Sequence, residues 1–178
     1  MKIDEIKRIA VIGSGAMGAQ LAEVFSRLAG YGVNLVDISD EQVKKGLKSI
    51  EKGLERFFVA KGKILAEEKE AITGRIKGYT SLEEAVKGVD LVIEAALEIM
   101  SLKREIFEKL DRYAPQSVVL ASNTSMLNIT EIAAATGSPE RVIGMHFFNP
   151  VAVMKLVEVV KGSHTSEEST DLVLALAR

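Results

Sequence analysis

An α/β fold built on a doubly wound, mainly parallel sheet is the architecture this sequence predicts. Three observations carry it. Short apolar runs alternate with helical apolar spacing along the whole chain, a glycine-rich turn joins the first run to the first helix, and polar segments follow the later runs.

Arg8–Ile12 (RIAVI) is the first expected strand, and it leads straight into Gly13-Ser14-Gly15-Ala16-Met17-Gly18. Ala16–Leu28 then has helical spacing, with Met17, Leu21, Val24, Phe25 and Leu28 on one side. Residues 33–36 form the next strand, which stops at Asp37. Residues 76–80, Leu91–Glu94 and 118–121 are expected as further strands, the last two separated by a charged helix over 101–113. Residues 142–146 and 155–160 complete the set. Between 40 and 74 lies a stretch rich in Lys and Glu, with Leu, Ile and Phe at helical spacing. It predicts an inserted helical hairpin around Gly62, either a solvated crossover or an arm leaning over a long substrate. A last helix starts at Ser166, with Ser as N-cap and Glu167 and Glu168 in the first turn. Its apolar residues have no later segment to pack against, so the chain is expected to be cut from something longer.

At 178 residues the chain supports one domain, 1–178. Apolar residues make up 47% and charged ones 27%, the balance of a soluble globular protein. A formal net charge of −2 draws in neither nucleic acid nor an anionic membrane, and neither partner is expected. Cysteine is absent, which excludes disulfides, thiolate metal sites and a Cys nucleophile and fits a reducing compartment. No metal is expected. The opening MKIDEIKRIA has no signal-peptide core and no apolar run could span a bilayer, so a cytoplasmic address is expected.

Gly13, Gly15 and Gly18 complete G-x-G-x-x-G between a strand and a helix. The first permits a tight turn, the second lets backbone approach a pyrophosphate, and the third lets helix lie close on strand. The phosphates would face the free N–H groups and positive end of the helix. Asp37, nineteen residues past Gly18, closes the second strand. Its carboxylate could cap the strand end, or accept both ribose hydroxyls of a dinucleotide while repelling a 2′-phosphate. No Arg follows in Ile38-Ser39, so NAD is favoured over NADP. The expected frame is therefore Rossmann-type.

The reactive candidates lie in Ser122-Asn123-Thr124-Ser125 and Gly144-Met145-His146-Phe147-Phe148-Asn149-Pro150. Both follow expected strands, at the carboxyl ends where parallel sheets bind ligands. A histidine after a strand is often structural. An imidazole can also take the proton of a hydroxyl while hydride leaves the same carbon. Glu158, twelve residues on, tips the balance: framed by Leu156, Val157, Val159 and Val160, it could reach the ring from a neighbouring strand and fix its tautomer. Ser125 and Asn149 could hydrogen-bond a substrate oxygen or the nicotinamide, or serve as helix cap and turn residue.

With these residues assembled, the chain resembles the amino-terminal domain of L-3-hydroxyacyl-CoA dehydrogenases, 3-hydroxybutyryl-CoA dehydrogenases included. The resemblance is carried by VIGSGAMGAQLAEVF, VIEAALEIMSLKREIF, ASNTS and, most specifically, RVIGMHFFNPVAVMKLVEVV. It implies NAD-dependent oxidation of the 3-hydroxyl of an acyl-CoA to a 3-keto group, in fatty-acid or butyrate metabolism. His146 would be the general base, Glu158 its orienting carboxylate, Ser125 a contact to substrate and cofactor, and Asn149 a neighbour of the nicotinamide. Further NAD contacts implied are Asp37, Gln42, Ala95, Glu98 and Lys103, and the inserted helices correspond to an arm that touches CoA. Ala152 stands where a second proline is usual, and Met100 where a polar residue is common. The family's second, helical domain, source of an active-site asparagine and of the homodimer interface, is not in this chain. The domain alone is thus expected to bind NAD and turn over substrate poorly. Two other readings share the nucleotide site: a dehydrogenase of sugar acids, which needs no long arm, and a non-catalytic NAD-binding protein, against which His146, Glu158, Ser125 and Asn149 argue.

Overall fold

A computed structural model describes residues 3–178. In chain order the elements are β1 (Arg8–Ile12), α1 (Ala16–Leu28), β2 (Gly32–Val36), α2 (Asp40–Leu54), α3 (Ala66–Gly74), β3 (Ile76–Tyr79), α4 (Leu82–Ala85) and β4 (Leu91–Glu94). There follow α5 (Met100–Tyr113), β5 (Val119–Ser122), α6 (Ile129–Ala133), β6 (Val142–Phe147), β7 (Val157–Lys161) and α7 (Glu167–Leu176). The seven strands form one sheet in the order β3-β2-β1-β4-β5-β6-β7. All neighbours are parallel except β6 and β7. The chain runs outward from β1 to β3, then returns to the other side of β1 through β4. That reversal leaves a crevice at the carboxyl ends of β1 and β4.

Both faces of the sheet are covered, and the inner strands read as continuous apolar runs for that reason. Ile9 and Val11 of β1 join a core with Leu21 and Phe25 of α1, while Ala10 and Ile12 point to a second core with Phe107 and Leu110 of α5. The expected helix 101–113 begins one residue earlier, and strand 118–121 is displaced by one, to end on Ser122. The segment expected as a strand from residue 155 becomes one only at Val157 and runs antiparallel to β6. The link from β6 is too short for a parallel crossover, which takes a dozen residues or more.

The hairpin between 40 and 74 forms, with Val43, Gly46, Ile50 and Leu54 as the buried stripe of α2. It bends through a π-helical turn, Glu55–Val59, and then at Gly62, whose φ is +65°. The short helices α4 and α6 were not expected, because so few residues show no helical period. Leu172 and Val173 of α7 are buried in the core beside β6 and β7, which precede it in the chain. Ser166 caps that helix by accepting from the Ser169 N–H. Among the described residues, no helix is long and apolar enough to cross a membrane.

Candidate active site

The glycine turn owes its shape to three different constraints. Gly13 has φ +100°, and a Cβ there would lie 2.7 Å from the carbonyl oxygen of Ala95, the residue that follows β4. At Gly18 a Cβ would stand 1.8 Å from the Gly13 oxygen, so only glycine lets α1 start this close to β1. A Cβ on Gly15 would meet nothing within 4 Å. Gly15, the N-cap, and Ala16 are exposed, Met17 is half-buried, and no side chain caps α1. An uncapped helix start beside open space suits a pyrophosphate, whose charge the free N–H groups would meet.

Asp37 is tied into this turn. Its Oδ2 accepts from the Ser14 N–H and hydroxyl, both at 2.7 Å, and its Oδ1 accepts from the Ile38 N–H at 2.8 Å. The cap and the ribose acceptor are thus not exclusive: the carboxylate braces the turn and keeps one acceptor site, on Oδ1, for a hydroxyl. Gln42 enters through its backbone, its carbonyl oxygen lying 2.9 Å from the Ser14 hydroxyl as a second acceptor for the same proton. Gly46 escaped notice in the sequence. A Cβ there would lie 2.8 Å from the Ser14 Cβ and carbonyl oxygen, so glycine lets α2 rest on the turn. A glycine inside a helical stripe, where it costs stability relative to alanine, was the available signal.

Lys103, expected as a cofactor contact, is paired with two carboxylates. The side chain is 1% exposed and its Nζ lies 2.6 Å from Oε1 of Glu94, itself fully buried, and 3.4 Å from Glu98 Oε2. The aliphatic stem of α5 residue 103 points inward with Phe107 and Leu110, which buries the ammonium unless a carboxylate meets it. Glu94 also accepts from the Ser122 hydroxyl and the Ala96 N–H, each at 2.7 Å.

Glu98 gathers the loop after β5. Its Oε1 accepts from the Thr124 hydroxyl, from the Ser125 N–H at 3.0 Å and from the Met126 N–H at 3.4 Å. Burial pushes the Glu98 carboxyl up, but the Thr124 hydroxyl, the Lys103 charge and the Ser125 N–H outweigh it and hold it below the usual range. The Ser125 hydroxyl sits 3.5 Å from the same oxygen and is exposed. Asn123, named within its segment but without a role of its own, accepts the Phe147 N–H at 2.9 Å and ties this loop to the end of β6.

His146 and Glu158 are register partners on antiparallel strands, and the imidazole Nδ1 lies 2.7 Å from Glu158 Oε2. The histidine side chain is 16% exposed and the glutamate 53%. The apolar frame expected around Glu158 is half open: Leu156 and Val160 share its exposed face, because β7 is the sheet edge. Asn149 lies in the loop beyond, exposed, and bonded to Gln20 of α1 at 3.1 Å. The glycine turn, the Glu98 loop and the His146 strand end are therefore laced to one carboxyl edge of the sheet. Among the described residues, no cluster of metal-ligating side chains forms.

Residues 8–178 match the family model described as 3-hydroxyacyl-CoA dehydrogenase, NAD binding domain. A probable 3-hydroxybutyryl-CoA dehydrogenase of Bacillus subtilis is 50% identical over 173 residues, which is 97% of this chain and 59% of that protein. The human mitochondrial hydroxyacyl-coenzyme A dehydrogenase is 40% identical, over 97% of this chain and 56% of its own length. The crystal structure of the (S)-3-hydroxybutyryl-CoA dehydrogenase of Ralstonia eutropha superposes with a TM-score of 0.93 at 41% identity, covering 97% of this chain and 60% of that one. The chain thus spans somewhat more than half the length of these relatives.

Proposed function

The chain belongs to the 3-hydroxyacyl-CoA dehydrogenase family, as its NAD-binding domain, and we propose that it serves NAD-dependent oxidation of the 3-hydroxyl of a 3-hydroxyacyl-CoA to the 3-ketone. The observation that carries the reading is the 2.7 Å pairing of His146 Nδ1 with Glu158, at the strand end laced to the glycine turn's side of the sheet. The carboxylate holds the Nδ1 proton in place, so Nε2 carries the lone pair. Nε2 takes the proton of the substrate hydroxyl, and Glu158 offsets the charge that then develops on the ring.

Bound NAD supplies the hydride acceptor. The open space at Gly15, the uncapped start of α1 and the Asp37 carboxylate fit its pyrophosphate and ribose. Ser125, braced by Glu98, presents a hydroxyl to the substrate oxygen, and Asn149 offers an amide near the nicotinamide. Lys103 and Glu94 act through Glu98 rather than on the cofactor. The relatives named for hydroxyacyl-CoA chemistry support an acyl-CoA over a sugar acid and a working enzyme over a non-catalytic binder.

The test is a coupled NADH assay of the natural full-length enzyme against 3-hydroxyacyl-CoAs of graded length. His146→Gln should lower turnover by about 10²–10⁴-fold with NAD affinity retained, the usual worth of a general base. Unchanged turnover removes the base assignment.

A further inference from the structure

Gln20, in the second turn of α1, makes contacts that the nucleotide-binding turn does not require. Its Oε1 accepts from the Val151 N–H at 2.9 Å, and its Nε2 donates to Asn149 Oδ1 at 3.1 Å and to the Ala16 carbonyl at 3.0 Å. The bonds to Val151 and Asn149 join residues more than a hundred positions apart and clamp the loop after β6 to the helix that starts at the glycine turn.

The polarity of the chain of bonds is not free. A backbone N–H can only donate, so the atom of Gln20 facing Val151 is its oxygen. The amide nitrogen must then face Asn149, and a second acceptor, the Ala16 carbonyl, agrees with that assignment. Asn149 in turn must present its oxygen to Gln20. Its Nδ2 is left without a partner among the described residues, on an exposed residue beside the imidazole strand.

We propose that Gln20 is a positioning residue that fixes the Asn149 amide with its nitrogen outward, so that the site offers a hydrogen-bond donor to a carbonyl oxygen of the bound nicotinamide or of the acyl substrate. The inference rests on the dehydrogenase reading above. Gln20→Glu keeps the Val151 bond but turns an acceptor towards Asn149, which then flips and presents its own oxygen outward. Gln20→Leu keeps the bulk and leaves the amide undirected.

The test is calorimetric titration of the chain with NADH, its thionicotinamide analogue (a poor carbonyl acceptor) and its 3-acetylpyridine analogue (oxygen kept, amide N–H lost). The native chain should bind the acetylpyridine form about three- to tenfold more tightly than the thio form, the worth of one neutral hydrogen bond. Gln20→Glu should reverse that order, and Gln20→Leu should bring the ratio close to one. The ratio cancels any general repulsion between the new carboxylate and the pyrophosphate. If the ratio is the same in all three proteins, but the substitutions raise KM for the acyl-CoA in the full-length enzyme, the donor serves the substrate oxygen instead. An unchanged ratio together with an unchanged KM overturns the proposal. A native chain that binds none of the three nucleotides overturns the dehydrogenase reading and this proposal with it.

Discussion

Two glycines of the same turn should fail in opposite ways. Gly18→Ala would set a Cβ 1.8 Å from the Gly13 carbonyl oxygen and 2.9 Å from its carbon. An unstrained carbon contact lies at about 3.5 Å, so the helix start and the turn must part by roughly an ångström and a half. Both are backbone, and neither can swing away as a side chain would. Overpacking costs about 1–3 kcal/mol, and a clash between two backbones lies in the upper part of that range, about 2–3 kcal/mol, reduced by about 1 kcal/mol because alanine favours a helix over glycine. A net loss of about 1–2 kcal/mol lowers Tm by about 2–8 °C in a domain of this size. NADH affinity should fall at least about tenfold as well, since the N–H groups of the first turn move with the helix. Gly15→Ala has φ −64° and ψ −167°, which alanine adopts freely, and no atom within 4 Å. Its Tm should stay close to the native value, within about 0.5 kcal/mol of stability, while NADH binding drops because the methyl occupies the space left for the pyrophosphate. Thermal melts by circular dichroism and fluorescence titration with NADH read the two effects separately. Gly15→Ala binding NADH as tightly as the native chain, or Gly18→Ala melting with it, would refute the steric account.

Asp37→Ala should weaken NADH binding by about ten- to a hundredfold, the worth of a charged hydrogen bond, and narrow the preference over NADPH. Ser14→Ala, which removes the hydroxyl's contacts to Asp37 and to the Gln42 carbonyl but keeps the Asp37 carboxylate, should leave that preference in place, and an equal loss of preference in both variants would make Asp37 a turn brace alone. Asp111 contributes to the acid side of stability. Burial pushes its carboxyl up, but the Arg141 guanidinium and the Gly137 N–H hold it below the usual range. A depressed carboxyl stabilises the fold above its unfolded value of about 4 and loses that contribution as pH falls through the folded one. Asp111→Asn should therefore lower Tm near neutrality and flatten its decline between about pH 4 and 2, and parallel Tm-versus-pH curves would count against the pair. Glu158→Gln should retain the bond to Nδ1 yet lose the charge that balances an imidazolium, so turnover should fall while NADH affinity holds. A rate equal to the native enzyme's would leave Glu158 a strand-edge residue.

Local chemistry was enough to place the sheet, the glycine turn and the pairing of His146 with Glu158. Each is written in short-range patterns: uninterrupted apolar runs for strands buried on both faces, glycines where a Cβ would strike backbone, and a histidine and a glutamate on runs near enough to pair. Tertiary packing alone decided what those patterns do not encode. Burying the stem of residue 103 forced Lys103 onto Glu94 and beside Glu98. The short link after β6 made β7 an antiparallel edge, so Glu158 meets the ring from an open face. The bonds from Gln20 to Asn149 and Val151 span more than a hundred residues, and no local period announces them. A sequence records which side chains can bury or bond, but the direction of a donor depends on which partners the fold brings within about three ångströms.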